Sequence, residues 1–130
     1  MRDTGFGFLF VCLLITAAGC ATVPSDPSSP VIKSLAFSDV KTSGAWVNFT
    51  FRNTDDDIEK VLVEVTVNGR RPSDADWEFL AGQWGIRPGT KTGKASFRWP
   101  VRHSATRCLT VWIQDTKERS SNKLYGCMTN

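Results

Sequence analysis

Residues 45–52 read Ala-Trp-Val-Asn-Phe-Thr-Phe-Arg, and residues 61–67 read Val-Leu-Val-Glu-Val-Thr-Val. Side chains along a strand point alternately to opposite faces, so a period of two marks a strand with one buried face and one wet face. Ala45, Val47, Phe49 and Phe51 make one such row, with Trp46, Asn48, Thr50 and Arg52 opposite. Val61, Val63, Val65 and Val67 make a second, opposed by Leu62, Glu64 and Thr66. Both rows are built of the β-branched and aromatic residues that suit a pleated, half-buried surface. Shorter rows follow the same rule: Val31, Leu35 and Phe37 within Val31–Val40, then Ala95, Phe97 and Trp99, then Leu109, Val111 and Ile113.

Turn chemistry separates the rows at Thr42-Ser43-Gly44, Asn53 to Asp57, Asn68-Gly69, Pro88-Gly89 and Asp115 to Asn122. Short alternating strands at this spacing predict an all-β fold, an antiparallel immunoglobulin-like β-sandwich of about seven strands. One short helix or turn, crossing between the sheets, is expected over Ser73–Ala81. Ser73-Asp74-Ala75-Asp76 has the form of a capping box, Trp77, Leu80 and Ala81 share a helical face, and Gly82 ends it.

The N-terminus supplies an address. Arg2 is followed by an uncharged apolar run, Phe6–Ala18, well short of the roughly 20 residues that cross a bilayer core but suited to the apolar region of a secretory signal. Ala17-Ala18-Gly19-Cys20 resembles the lipobox of bacterial lipoproteins. The resemblance implies cleavage before Cys20 and lipidation of Cys20 by a diacylglyceryl thioether and an amide-linked acyl chain. One chain binds a membrane marginally, while two or three hold firmly. Ala21, not Asp, follows the cysteine, and the resemblance then implies the outer membrane, facing the periplasm. Residues 21–30 (ATVPSDPSSP) are too polar and proline-rich to pack. At about 3 Å per residue they reach roughly 30 Å from the lipid. The expected organisation is a signal peptide at 1–19, a lipidated tether at 20–30 and a sandwich domain at 31–130.

This address sorts the four cysteines. Cys12 leaves with the signal and Cys20 takes the lipid. Cys108 and Cys127 remain as a pair in an oxidising compartment, where a disulfide is expected. If Thr106–Asp115 pairs with Asn122–Cys127 so that Cys108 faces Cys127, then Thr110 faces Tyr125 and Trp112 faces Lys123. Leu109, Val111, Ile113 and Leu124 then share the opposite, apolar face. Directly opposed residues in a non-hydrogen-bonded antiparallel pair approach closely enough for such a bridge.

Catalytic and metal chemistry find little to work with. His103 is the single histidine and there is no Cys-x-x-Cys, so neither a metal nor a cofactor is expected. Asn53, Asp55, Asp57, Glu59 and Glu64 mimic the spacing of a calcium loop, but Ile58 stands where the loop needs glycine, and a solvated turn is the better reading. Gly89 to Lys94 imitates a phosphate loop, yet it is one residue short and Ala95 replaces the magnesium-binding hydroxyl. His103 has no nucleophile beside it, and Asp74, Asp76 and Glu78 read as solvated carboxylates. No enzymatic activity is expected.

Binding is the stronger expectation. Trp99 falls in phase with Phe97 and belongs to the core, whereas Trp46 and Trp112 fall on outer faces, and Trp77 and Trp84 flank Gly82. Rigid aromatic side chains with large apolar area suit a sugar ring or a protein partner, so Trp46, Trp77, Trp84 and Trp112 are candidates. Charge is uneven: from Cys20 to Ile86, six Lys and Arg oppose ten Asp and Glu, while from Arg87 onward nine oppose two. Arg98, Arg102 and Arg107 bracket His103, a patch suited to phosphates of lipopolysaccharide, anionic lipid headgroups or an acidic protein. The compartment excludes nucleic acid.

Val47-Asn48-Phe49-Thr50-Phe51-Arg52-Asn53-Thr54, an aspartate turn, Ile58–Val67 and Arg87-Pro88-Gly89 together resemble the FxLYD-type and related immunoglobulin-like domains of bacterial envelope proteins. Val65-Thr66-Val67-Asn68-Gly69 stands where that family has its aromatic-aspartate ending. The resemblance implies a sandwich with a binding or scaffolding role. The expected function is a lipid-anchored envelope protein whose sandwich binds another envelope component, a protein, with a carbohydrate-binding module for peptidoglycan or polysaccharide as the alternative.

Overall fold

A computed structural model describes residues 27–53, 56–101 and 103–129. Cys20, the signal and most of the tether, and Arg102, lie outside the described residues. Seven strands follow in order: β1 (Val31–Lys41), β2 (Gly44–Arg52), β3 (Ile58–Val67), β4 (Asp76–Leu80), β5 (Thr92–Pro100), β6 (Thr106–Asp115) and β7 (Leu124–Thr129). They form two antiparallel sheets, β1-β2-β5 and β4-β3-β6-β7. The chain is an immunoglobulin-like β-sandwich, and no described helix is long and apolar enough to cross a membrane.

The rows of alternating residues become the core. Ala45, Val47, Phe49 and Phe51 of β2 face Val61, Val63 and Val65 of β3 and Leu109, Val111 and Ile113 of β6, all of them buried. Burying a side chain of this size stabilises the fold by about 1.5–3 kcal/mol. The β6–β7 register matches the sequence reading: Cys108 opposes Cys127, Thr110 opposes Tyr125, and Val111 opposes Leu124. Cys108 and Cys127 are disulfide-bonded, with Cα atoms 4.0 Å apart, as suits a non-hydrogen-bonded pair. Asn68 and Gly69 turn the chain after β3 with φ of 49° and 77°. Both lie in the left-handed region, where Asn and Gly meet the least steric cost.

Three expectations are corrected. Ser29 and Pro30, the last two residues of the expected tether, are buried. The buried residue at the start of β1 is Ile32, not Val31. Ser34, at φ 62°, sits in a register shift between Lys33 and Ala36, and this bulge reverses the phase so that Leu35 and Phe37 pack inward. The stretch Ser73–Ala81 is not a helix. It contains β4, which pairs with β3 from Lys60↔Leu80 to Glu64↔Asp76. The inward residues are Ala75, Phe79 and Ala81, with Trp77 in phase at the rim. Without β4, the backbone groups along that side of β3 would be unpaired, and that requirement overrides the local helical pattern. The one helical segment among the described residues is a 3-10 turn, Ala81–Trp84, which follows β4 and closes at Gly85.

The two sides of the sandwich differ. On the β1–β7 side the sheets are clasped: Asn122 Oδ1 accepts from the Ile32 amide at 3.0 Å, and Asn122 Nδ2 donates to the Ile32 carbonyl at 2.9 Å. Leu35 and Phe37 come so close to Gly126 that a Cβ there would lie 3.2 and 3.1 Å from them. At the end of β6 a fully buried carboxylate, Asp115, organises the loop that follows. It accepts from the amides of Lys117 and Arg119 and from Arg119 Nε, while Arg119 also reaches Asp56 across the β2–β3 loop. The β4–β5 side is where the sheets part.

Candidate binding cleft

β4 and β5 are each the last strand of their sheet, and no described strand joins them. Between them opens a cleft of about 660 Å³. Its walls are mostly apolar, formed by Trp77 and Phe79 of β4, Phe97 and Trp99 of β5, and Val65 and Val67 of β3. Its mouth carries Asp74, His103 and Arg107.

The rings run as a connected series from core to rim. Trp84 stacks on Phe97 at 5.1 Å between centroids and meets Phe79 edge-on at 5.8 Å. Phe79 packs on Phe97 at 4.7 Å and on Trp99 at 5.9 Å. Trp77 closes the series, edge-on to Trp99 at 5.6 Å and still 42% exposed. These separations are those at which aromatic pairs attract beyond their buried area. The inner rings are therefore held in place, while the outermost one is free to take a partner.

The structure distributes the expected site residues unevenly. Trp84 is not on a surface: it is fully buried, packed on Phe49, Phe79 and Phe97 at the end of the 3-10 turn. Trp46, 40% exposed, lies on the outer face of the β1-β2-β5 sheet. Trp112 lies on the outer face of the other sheet, with the Lys123 ammonium 4.3 Å above its ring. Of the four, Trp77 alone lines the cleft.

The arginines separate as well. Arg98 shares the outer face of Trp46 and pairs with Asp39 at 3.4 Å. Arg107 stands at the mouth of the cleft and donates to the His103 carbonyl at 2.9 Å, which ties the β5–β6 loop to β6. Among the described residues, no group of three or more His, Cys, Asp or Glu could hold a metal ion. Asp57, from the turn that mimics a calcium loop, accepts from the Gly89 amide at 2.8 Å.

Sequence reasoning missed the cleft because it placed Trp77 on a helix. The signal was present in Ala75-x-Trp77-x-Phe79-x-Ala81, a period of two like that of the valine strand before the Asn68-Gly69 turn. No protein-family model matches the chain, and no curated protein sequence matches it.

Proposed function

We propose that the chain is a lipid-anchored cell-envelope protein, held through Cys20 on the outer membrane facing the periplasm, whose sandwich binds another envelope component, a protein, through the β4–β5 cleft. The carrying observation is the aromatic series that ends at Trp77 between two unjoined strand edges. A strand edge offers backbone donors and acceptors to an extended segment, and an adjoining pocket takes its alternate side chains. Aromatic anchors in such pockets carry much of the energy of an interface. The reading assigns no reaction and no cofactor.

The carbohydrate alternative draws on Trp46, Trp77 and Trp112. It is the weaker one at Trp112, because Lys123 covers the ring face on which a sugar would stack. A photo-reactive residue replacing Trp77 in cells, compared with one replacing the exposed Tyr125, separates the two. Cross-links from position 77 to one envelope protein, absent from position 125, support the proposal. Retention of the purified protein on peptidoglycan, lost on Trp46→Ala or Trp112→Ala, with no protein cross-link from 77, replaces it with the glycan reading.

A further inference from the structure

The outer face of the β1-β2-β5 sheet is basic. The register sets Lys33 and Lys94 on either side of Thr50, with Arg52 two residues further along β2 and Arg98 beside Trp46. Strands lie about 4.8 Å apart, so Lys33 and Lys94 are anchored within roughly 10 Å of each other. No Asp or Glu occupies an outward position in the paired rows of this face. Asp39, at its border, is engaged by Arg98 and Lys41. Lys33, Arg52 and Lys94 have no ion-pair partner among the described residues. The outer side of the other sheet is mixed, with Glu78 paired to Lys60 and Glu64 and Asp76 paired to Arg71.

Neighbouring like charges repel, and an anionic partner relieves that repulsion. The rest of the face suits a flat partner: Ala36, Ser38, Asn48 and Ser96 are short, and an Asn48 hydrogen-bond ladder to Ser38 and Ser96 holds them level. The chain that precedes β1 indicates which flat anionic partner lies in reach. It enters this same sheet at Val31, which pairs with Arg52. Residues 20–28, ahead of the buried Ser29 and Pro30, are short enough to keep this end within roughly 30 Å of a bilayer.

We propose that this face docks on the anionic lipid headgroups of the membrane that carries the anchor, with Lys33, Arg52 and Lys94 on phosphates and Trp46 at the headgroup level. Basic side chains are drawn to an anionic surface within a Debye length, and tryptophan favours the interfacial zone. The argument from tether length rests on the lipid-anchor reading above; the argument from charge does not.

Lysine acetylation of the full chain, read by mass spectrometry, tests it. The chain is bound to vesicles of phosphatidylglycerol and phosphatidylcholine, or of phosphatidylcholine alone. Labelling of Lys33 and Lys94 should fall about fivefold on the anionic vesicles, while Lys117 and Lys123 stay unchanged. About 0.5 M salt should restore the labelling without releasing an anchored chain. Equal labelling of all four lysines, or the same protection on neutral vesicles, overturns the proposal. So does full protection by millimolar inorganic phosphate without vesicles, which would make the ligand a soluble anion. The mass of the Cys20 peptide reads the anchor separately: an unlipidated chain that still shows anionic protection keeps this face and removes the anchor.

Discussion

At the scale of the residue, Trp84 shows what a sequence pattern conveys and what it withholds. Its size marks it as important, but the 3-10 turn that holds it has no period of two to phase it, so flanking a glycine looked like exposure. The packing decides otherwise: the ring fills the space between Phe49, Phe79 and Phe97. Its indole N–H has no hydrogen-bond partner among the described residues. Trp84→Ala should therefore destabilise the fold by about 3–5 kcal/mol, measured by denaturant unfolding. Trp84→Phe should cost less, because it also removes an unpaired buried donor. Similar costs for the two variants would mean that the ring face contributes little. Ile32 makes the same point in reverse, since one bulge at Ser34 moved it from the expected wet face into the core.

At the scale of the element, the long strands β2, β3 and β6 were legible because each has enough alternating positions to exclude a helical period. β4 was not. Across five residues, Trp77 and Leu80 satisfy a helical spacing as well as Trp77 and Phe79 satisfy a strand. What distinguishes the readings is a long-range fact, that β3 needs a partner on that side. The edge is also supported by charge. Glu78 hydrogen-bonds to Lys60 and attracts its ammonium, which raises that pKa above the usual 10.5 against a smaller opposing effect of desolvation. A folded-state pKa above the unfolded one gives stability that is fully present below pH 10.5 and is lost as pH rises through the raised value. Stability in denaturant unfolding should fall as pH rises through the raised value, and Glu78→Gln should reduce that fall. An unchanged profile in Glu78→Gln would show that the pair does not hold the edge.

At the scale of the whole molecule, fold class followed from alternation, and the disulfide from the two cysteines left once Cys12 and Cys20 had been assigned. The cleft did not, because it belongs to neither sheet: it exists only where two edges diverge. The Cys108–Cys127 bridge closes a separation of 19 residues, which the chain-entropy account values at about 3 kcal/mol. In a domain whose total stability is a modest difference between large opposing terms, that is a substantial share. Replacing both cysteines by serine should lower unfolding stability by roughly this amount, with the β6–β7 register retained because Leu109, Val111 and Ile113 still select it. A loss of well under 1 kcal/mol would place the stabilisation elsewhere.

The clasp at Ile32 has a mechanical meaning. A load that reaches the domain along the chain before Pro30 arrives at the first residues of β1, where the ladder with β2 begins at Val31. Asn122 grips Ile32 at the second rung, and Asn122 lies between β6 and β7, the two strands joined by a covalent bridge. Force on β1 is thus shared with the bridged β6–β7 hairpin, and Asn122→Ala should lower the pulling force at which the first strand lets go.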